Sequence, residues 1–179
     1  MDILREEKSA QYCCSKNFSY EYFTPISRFV HLKIEQNIWD DYNELYHAVN
    51  LVEKLKMEPG IWFDTHWIVQ DEKITGVMVI VGGNIKTLEK KYVIENENDS
   101  LLLKYFHIVD KGKGYGSYWL GSVIIPYYKS KGYRNIYVNS SHEKSFPFYK
   151  RFGSVIATYE RMSDNGLFKR EGNSFLIRI

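Results

Sequence analysis

The residues best suited to chemistry in this sequence lie in one short loop that alternates glycine with lysine and small side chains. Residues 110–117 are Asp-Lys-Gly-Lys-Gly-Tyr-Gly-Ser, which places glycine at positions 112, 114 and 116. Because glycine has no Cβ, the backbone N–H groups of such a loop can approach a ligand closely. Lys111 and Lys113 add positive charge beside the start of a predicted helix, so the loop is suited to bind phosphate.

Two common phosphate loops are excluded by the spacing of these glycines. A Walker loop needs glycine, four residues and then Gly-Lys-Ser/Thr, and the sequence contains no such string. The dinucleotide loop needs Gly-x-Gly-x-x-Gly at the start of a parallel sheet, whereas this loop is Gly-x-Gly-x-Gly and follows most of the predicted strands. A tight connection between a strand and a helix, with no ligand, is the alternative interpretation.

A second segment of the sequence also carries a recognisable motif. Val138-Asn139 is followed by the helical pattern Ser-Phe-Pro-Phe-Tyr-Lys-Arg-Phe-Gly at residues 145–153. Together with Lys111-x-x-Gly114-x-Gly116, this segment resembles the GNAT N-acetyltransferase superfamily. That family has an acyl-CoA pyrophosphate loop Arg/Gln-x-x-Gly-x-Gly/Ala and a later Asn-x-x-Ala-x-x-Phe/Leu-Tyr-x-x-x-Gly helix. The similarity covers about residues 100–160 of the chain.

The resemblance implies both a fold and a reaction. The fold is a mixed, mostly antiparallel α/β sheet with flanking helices and a central strand whose end splays away from its neighbour. The reaction is direct acetyl transfer from the co-substrate acetyl-CoA to a primary amine of a small molecule, an amino-acid derivative or a peptide. The implied cofactor-binding residues are Ile108, Val109, Lys111, Gly112, Lys113, Gly114, Tyr115, Gly116, Ser117, Asn139 and His142. The backbone of Ile108 and Val109 would pair with the pantetheine arm, and the loop amides would hold the pyrophosphate.

Two residues are candidate catalytic groups. Tyr149 occupies the position of the family's tyrosine that protonates the leaving thiolate; packing against neighbouring phenylalanines is the alternative role. His107 lies on the strand that leads into the loop, and the near-neutral pKa of histidine suits a general base, although a structural role is the alternative. His142 and Glu143 are weaker candidates for the base, and a chain of water molecules would remove the need for one. The five histidines are scattered, so no metal site is predicted.

The positions of these residues depend on a predicted alternation of strands and helices. Alternating and β-branched runs predict strands at residues 28–35, 66–70, 75–81, 101–109, 135–139, 155–161 and 174–179. Apolar residues at spacings of three and four predict helices at residues 39–57, 115–131 and 145–152, with a kink at Pro126. The first two dozen residues show no regular pattern. This order predicts a mixed α/β sheet in a single domain of residues 1–179.

Composition limits the remaining classes of protein. Lys and Arg number 24 and Asp and Glu 22, and the resulting net charge of +2 disfavours electrostatic binding of nucleic acid. Cys13 and Cys14 are adjacent and closer than a disulfide usually allows, so we expect a reduced, cytoplasmic protein. No segment approaches the roughly 20 apolar residues of a membrane span, and the first residues lack the apolar run of a secretory signal.

The acceptor amine is expected to bind among segments outside these motifs, namely residues 1–30, the helix 39–57 and the loop 163–172. The first segment carries an aromatic cluster that either lines a cleft for an apolar or cationic amine or covers the core: Tyr12, Phe18, Tyr20, Tyr22 and Phe23. A non-catalytic acyl-CoA sensor or interaction module is the alternative function, because it would keep the phosphate loop without the chemistry. The sequence is also compatible with a homodimer.

Overall fold

One eight-stranded sheet organises the chain in the computed structural model, which describes residues 1–7, 9–38, 42–109 and 111–179. The strand order is β1-β2-β3-β4-β5-β6-β8-β7. Among the described residues only β5 and β6 pair in parallel, and every other neighbouring pair is antiparallel. The strands are β1 (Asp2–Glu7), β2 (Ala10–Ser15), β3 (Ile61–Gln70), β4 (Lys73–Gly83), β5 (Ser100–Ile108), β6 (Asn135–Ser140), β7 (Ser154–Met162) and β8 (Lys169–Arg178).

The helices cover both faces of this sheet. They are α1 (Thr24–Glu35), α2 (Glu44–Met57), α3 (Tyr115–Tyr118), α4 (Ile125–Ser130) and α5 (Phe146–Lys150), with a π-helical section at Trp119–Ile124 between α3 and α4. Ile26 of α1 and Val52 of α2 are buried against Val79 on one face of the sheet. On the other face Trp119, Tyr128 and Tyr149 form a second core. The central strands therefore carry apolar residues on both sides, as expected for a covered sheet. None of the helices in the described residues is long and apolar enough to cross a membrane.

The fold class predicted from the sequence is confirmed. The strands predicted at residues 66–70 and 75–81 belong to the antiparallel pair β3–β4, and the strand predicted at residues 101–109 is β5. The splayed strand end is also present, because the pairing of β5 with β6 stops at Leu103 and Val138 while β5 continues to Ile108. The last two strands pair as a hairpin around the predicted loop.

Two predictions near the amino terminus are wrong. Residues 28–35, predicted as a strand, belong to helix α1, which begins with Pro25 in its first turn and buries Ile26. The alternating pattern was misleading because packing of one helical face against α2 and β4 overrides the weak strand preference of these side chains. The first residues, predicted as irregular, form the antiparallel pair β1–β2. Strand β1 is the sheet edge and is mostly exposed, so it lacks the apolar alternation that identifies a half-buried strand.

The helix after the glycine loop contains a π-helical section just before Pro126, where the sequence predicts a kink. It runs through the consecutive segments Tyr115–Tyr118, Trp119–Ile124 and Ile125–Ser130, and only the middle one is π-helical. Pro126 lies in the first turn of the last segment. Proline lacks an N–H and clashes with the carbonyl four residues earlier, and a wider turn just before it relieves both problems. The predicted helix 39–57 begins at Glu44 in the structure, and Trp39 lies outside the described residues.

Candidate functional site

A cleft of about 1230 Å³ opens where the two parallel strands part. Strands β5 and β6 are paired up to Leu103 and Val138, and the residues beyond these positions line the cleft from both sides. Lys104 is an extra residue on β5, because Val79 pairs with Tyr105 and Ile80 with Leu103. Such a bulge bends a strand and increases its twist, which is the local reason that β5 turns away from β6.

The glycine loop forms one wall of this cleft. The lining residues from the loop are Lys111, Gly112, Gly114, Tyr115, Gly116 and Ser117. Gly112 and Gly114 have φ values of 82° and 84°, and a Cβ built on either residue would meet no atom within 4 Å. The loop therefore has a left-handed backbone that favours glycine, and it faces open space. Asp110, the first residue of the predicted loop, lies outside the described residues.

Two of the predicted cofactor residues are not among those that line the cleft. Lys113 belongs to the loop but is not part of the lining. Val109 is also outside it, and its N–H donates to the carbonyl of Thr75 at 2.9 Å. The backbone donor that the sequence assigned to the pantetheine arm at Val109 is thus already used by strand β4. Ile108 does line the cleft.

Cationic side chains stand on both sides of the loop. The ammonium of Lys111 lies 4.3 Å from the ring centre of Phe29, and partial burial lowers the pKa of Lys111. Arg151 donates from Nη2 to the Ser117 hydroxyl at 2.9 Å and also lines the cleft. The sequence analysis did not assign Arg151 to this site. The available signal was its position immediately after helix α5, which carries Tyr149. The guanidinium group of Arg151 therefore lies beside the loop, and its N–H donors are well suited to bind phosphate.

Tyr149 reaches the cleft from helix α5 (Phe146–Lys150), which we call the tyrosine helix. Pro147 lies in the first turn of this helix, as its missing N–H requires. The ring of Tyr149 packs 5.4 Å from Phe175 and 5.1 Å from Phe148, measured between ring centres. Burial raises the pKa of Tyr149 well above its usual value of 10.0, so the hydroxyl keeps its proton and acts as a hydrogen-bond donor. Its ring is packed, as in the alternative role considered from the sequence, and the residue also lines the cleft; its role as proton donor stays a prediction.

His107 lines the same cleft from β5. Its side chain is buried, the ring of Phe29 packs against it at 5.1 Å, and its Nε2 has no hydrogen-bond partner among the described residues. Burial, assisted by the charge of Lys111, lowers the pKa of His107 to about 4. The near-neutral pKa expected from the sequence is therefore not found, and the imidazole is neutral at physiological pH.

The end of β6 brings Asn139 and His142 to the cleft. The Asn139 side-chain amide donates to Glu89, while its Oδ1 is buried with no partner in the described part of the chain. His142 lines the cleft, and its backbone N–H donates to the Ser140 hydroxyl at 3.2 Å. Both residues lie where the sequence placed them, but the Asn139 amide nitrogen is occupied by Glu89.

A buried carboxylate below the cleft was missed from the sequence. Glu89 accepts backbone N–H groups of Lys90 and Lys91 at 3.0 and 2.9 Å, and the ammonium of Lys104 lies 3.8 Å away. Burial opposes its charge, but the Lys91 backbone N–H and the nearby ammonium groups lower the pKa of Glu89 below its usual value. Burial also lowers the pKa of Lys104, which lines the cleft. Glu89 contacts Asn139 at the end of β6 and Lys104 at the bulge of β5, and so holds these two strand segments together.

All three segments predicted to bind the acceptor contribute residues to the lining of the cleft. Phe29 belongs to the first segment, Tyr42 and Glu44 to the second, and Asp164 and Arg170 to the third or its rim. His47 on α2 hydrogen-bonds to Asp164, which ties the loop between β7 and β8 to that helix. None of the five clustered aromatic residues of the amino-terminal segment lines the cleft: Tyr12 and Phe23 are buried in the cores, Phe18 and Tyr22 pack against one of them, and Tyr20 is exposed.

Solved structures share this fold over nearly the whole chain. An N-acetyltransferase from Staphylococcus aureus is 13% identical over 96% of this chain and 99% of its own, with a TM-score of 0.59. An acetyltransferase of the GNAT family from Streptococcus pneumoniae is 12% identical over 94% and 99%, with a TM-score of 0.56. An acetyltransferase from Salmonella typhimurium, described as modifying the N-terminal serine of a 50S ribosomal subunit protein, is 12% identical over 99% of both chains, with a TM-score of 0.59.

No protein-family model and no curated protein sequence matches the chain. At these identities the likeness to solved structures is one of fold. It confirms the fold that the two sequence motifs imply.

Proposed function

From the premise that this chain has the fold of the GNAT acetyltransferases, we propose that it is an N-acetyltransferase that moves an acetyl group from acetyl-CoA to a primary amine. The observation that carries the proposal is the cleft between the parting strands, which has the glycine loop on one wall and Tyr149 at its side. The fold alone does not specify chemistry, so the proposal depends on these side chains.

The residues present fit a CoA thioester. The open, left-handed backbone at Gly112 and Gly114 leaves room for a phosphate group, and the cations of Lys111 and Arg151 stand beside it. Nε2 of His107 and Oδ1 of Asn139 are buried on residues that line the cleft and have no hydrogen-bond partner among the described residues, so a bound polar ligand would supply them with partners. Unpaired buried atoms of this kind carry a free-energy cost that ligand binding can remove.

The proposed reaction is direct attack of the acceptor amine on the thioester carbonyl. A new N–C bond forms and the C–S bond breaks, so the acetyl group moves to nitrogen and the sulfur leaves as a thiolate. His107, neutral because of its low pKa, accepts the proton that the nitrogen loses. A weak base suffices, because the nitrogen becomes acidic once it is bonded to the carbonyl carbon. The Tyr149 hydroxyl donates its proton or a hydrogen bond to the sulfur, and both side chains then exchange protons with solvent.

The acceptor is proposed to be a small-molecule amine, an amino-acid derivative or a peptide. It would enter past Tyr42, Glu44 and Asp164, which line the cleft and belong to segments outside the glycine loop. The Salmonella acetyltransferase with this fold is described as modifying the N-terminal serine of a ribosomal protein, which supports including peptides among the acceptors to be assayed. A reduced cytoplasmic location stays a prediction, and both cysteines are free thiols.

Acetyl-CoA binding to matched glycine variants tests the proposal. Gly114 and Gly132 have similar φ values of 84° and 90°, and a Cβ at either position would meet no atom within 4 Å, but only Gly114 lines the cleft. Gly114→Ala should weaken acetyl-CoA binding by about tenfold or more, equivalent to about 1.4 kcal/mol, because the new Cβ stands where phosphate approaches. Gly132→Ala carries a similar backbone strain and should bind acetyl-CoA like the wild type in isothermal titration calorimetry.

Equal affinity in the two variants would overturn the assignment of the loop. Turnover is then measured as release of free CoA thiol with a panel of amines and short peptides. Thiol release that depends on the amine supports the transferase. Tight binding of acetyl-CoA with no release for any acceptor would instead favour the non-catalytic acyl-CoA-binding module.

A further inference from the structure

A second group of reactive side chains lies in the core, away from the cleft. Cys14 on β2, Asp64 and His66 on β3, and Tyr128 on α4 are all buried, and none of them lines the cleft. Cys14 and His66 are directly opposite each other in the β2–β3 pairing, and Asp64 precedes His66 by two residues on the same strand. Side chains two apart on a strand project from the same face, so the sheet itself brings the three together beneath α4.

The distances within this group are short. One ligand atom from each of Cys14, Asp64 and His66 can be chosen so that all three lie within 4.8 Å of one another. The Cys14 sulfur is 3.8 Å from His66 Nε2. The Tyr128 hydroxyl lies 2.7 Å from the same nitrogen and donates to Asp64 Oδ2 at 2.9 Å. The donor atoms thus converge on one small volume rather than pointing apart.

Two buried polar atoms of this group of side chains lack hydrogen-bond partners among the described residues. Asp64 Oδ1 and His66 Nδ1 are buried and have no hydrogen-bond partner in the part of the chain that the structure describes. Asp64 is only 2% exposed, and within the described residues its carboxylate receives one side-chain hydrogen bond, from Tyr128. Burying a carboxylate is costly unless it is paired with a cation or coordinates a metal. A fully apolar core at these positions would avoid the cost, so the cluster needs an explanation beyond packing.

We propose that Cys14, Asp64 and His66 form a binding site for a divalent transition-metal ion of the zinc class. Thiolate, imidazole and carboxylate are the three ligand types that zinc uses in proteins, and the mixture excludes the hard cations Mg²⁺ and Ca²⁺, which select oxygen ligands. The Tyr128 hydroxyl, between the imidazole and the carboxylate, is placed either to complete the coordination or to orient those two ligands by hydrogen bonds.

A metal here would have a structural role. The site is closed, because its three ligand residues are buried, and closed sites with protein ligands are typical of structural zinc. It would fasten β2 to β3, and the Tyr128 hydroxyl would connect helix α4 to the two ligands on β3. Incorporation would accompany folding, since the ligands come from strands that are distant in sequence.

The chain supplies a matched control in the neighbouring cysteine. Cys13 is also a buried free thiol, but it lies opposite Trp67 and therefore on the other face of the strand pair. Loss of Cys13 removes a thiol from the same strand without removing one from the proposed site. Any metal held by nonspecific thiol binding would depend on both cysteines alike.

Cobalt incorporation tests the site. The full chain is produced in minimal medium supplemented with Co²⁺, purified in the presence of a chelator, and examined by elemental mass spectrometry and absorption spectroscopy. We expect one cobalt ion per chain and a thiolate-to-cobalt charge-transfer band in the wild type and in Cys13→Ser. The band should be lost in Cys14→Ser, and Tyr128→Phe should keep the band but bind the ion about 10- to 100-fold more weakly.

A wild-type protein without bound cobalt, or with cobalt but no thiolate band, would overturn the site, and this result needs no variant to fold. Survival of the band in folded Cys14→Ser, or its equal loss in Cys13→Ser, would do the same. Circular dichroism identifies folded variants, and His66→Gln replaces Cys14→Ser if the latter does not fold, with loss of metal expected and retention contradicting the proposal.

Discussion

At the scale of single residues, burial explains the chemistry that each side chain of the cleft can perform. His107 and Tyr149 have shifted pKa values for the same physical reason: each is removed from water, which disfavours the charged form. A neutral histidine has a ring nitrogen with a free lone pair, which can accept a proton, whereas a neutral tyrosine has a hydroxyl that can donate one. The residue types alone indicated an acid and a base, but only their surroundings decide the protonation states.

Removing the Tyr149 hydroxyl tests its role directly. Tyr149→Phe should lower kcat by about 10²- to 10⁴-fold, the usual contribution of a positioned proton donor, and leave acetyl-CoA affinity little changed. Tyr12→Phe is the matched control, because Tyr12 is a buried core tyrosine outside the cleft. Steady-state thiol release and calorimetric titration measure the two quantities. If Tyr149→Phe turns over as fast as Tyr12→Phe, Tyr149 only packs.

At the scale of elements, close backbone packing holds the tyrosine helix in place. Gly153 lies between α5 and β7, and a Cβ built on it would stand 2.2 Å from the carbonyl oxygen of Leu176 in β8. This contact is with backbone, which has little room to move. The strand pair β7–β8 therefore sets the position of α5, and through it that of Tyr149.

A methyl group at this point should loosen the helix. Gly153→Ala should lower the free energy of unfolding by about 1–3 kcal/mol, the range for overpacked sites, and should also reduce turnover because α5 moves. Gly121→Ala is the matched control: among the described residues outside its own helix, its Cβ would meet the side chain of Phe152, at 3.1 Å, and no backbone, and alanine is favoured over glycine within a helix. Urea denaturation of both variants measures the difference. Equal stability of the two would contradict the backbone clash.

Elements that the sequence predicted correctly are those whose pattern and packing agree. Strand β5 is apolar on both faces because it lies in the middle of the sheet, and its composition shows this directly. Helix α1 is different, because Phe29 and Val30 also suit a strand and only contact with α2 and β4 selects the helix. The edge strand β1 was missed because an exposed edge carries charged side chains in place of an apolar face.

At the scale of the whole molecule, the buried neutral imidazole of His107 links folding to pH. Above about pH 6.5, His107 is neutral in both the folded and the unfolded chain. Between this pH and about 4, the unfolded chain binds a proton that the folded protein does not, since burial lowers the pKa of His107 to about 4. The free energy of unfolding should therefore decrease as the pH falls through this window.

Because burial lowers the pKa of His107 from 6.5 to about 4, His107 contributes about 3 kcal/mol over this window. Urea titrations at pH 7.5 and 4.5 should show a smaller loss of stability in His107→Asn than in the wild type. His31→Gln, at an exposed position on α1, should keep the wild-type loss. If His107→Asn loses as much stability on acidification as the wild type, the imidazole is not held neutral by the fold.

The sequence by itself determined the glycine loop, the tyrosine helix and the sheet class. Each of these is a local signal: the glycines are required by the backbone conformation at positions 112 and 114, and the apolar periodicity reports which face of an element is buried. Nothing beyond neighbouring residues is needed to recognise such a pattern.

Only the tertiary structure decided which distant side chains meet. Cys14 lies opposite His66, Glu89 holds Asn139, and Arg151 reaches Ser117, and in each case the partners are tens of residues apart. No spacing in the sequence encodes these contacts, because they depend on strand order and register. The scattered histidines predicted no metal site for this reason, and the pairing of β2 with β3 is what brings three ligand types into one buried volume.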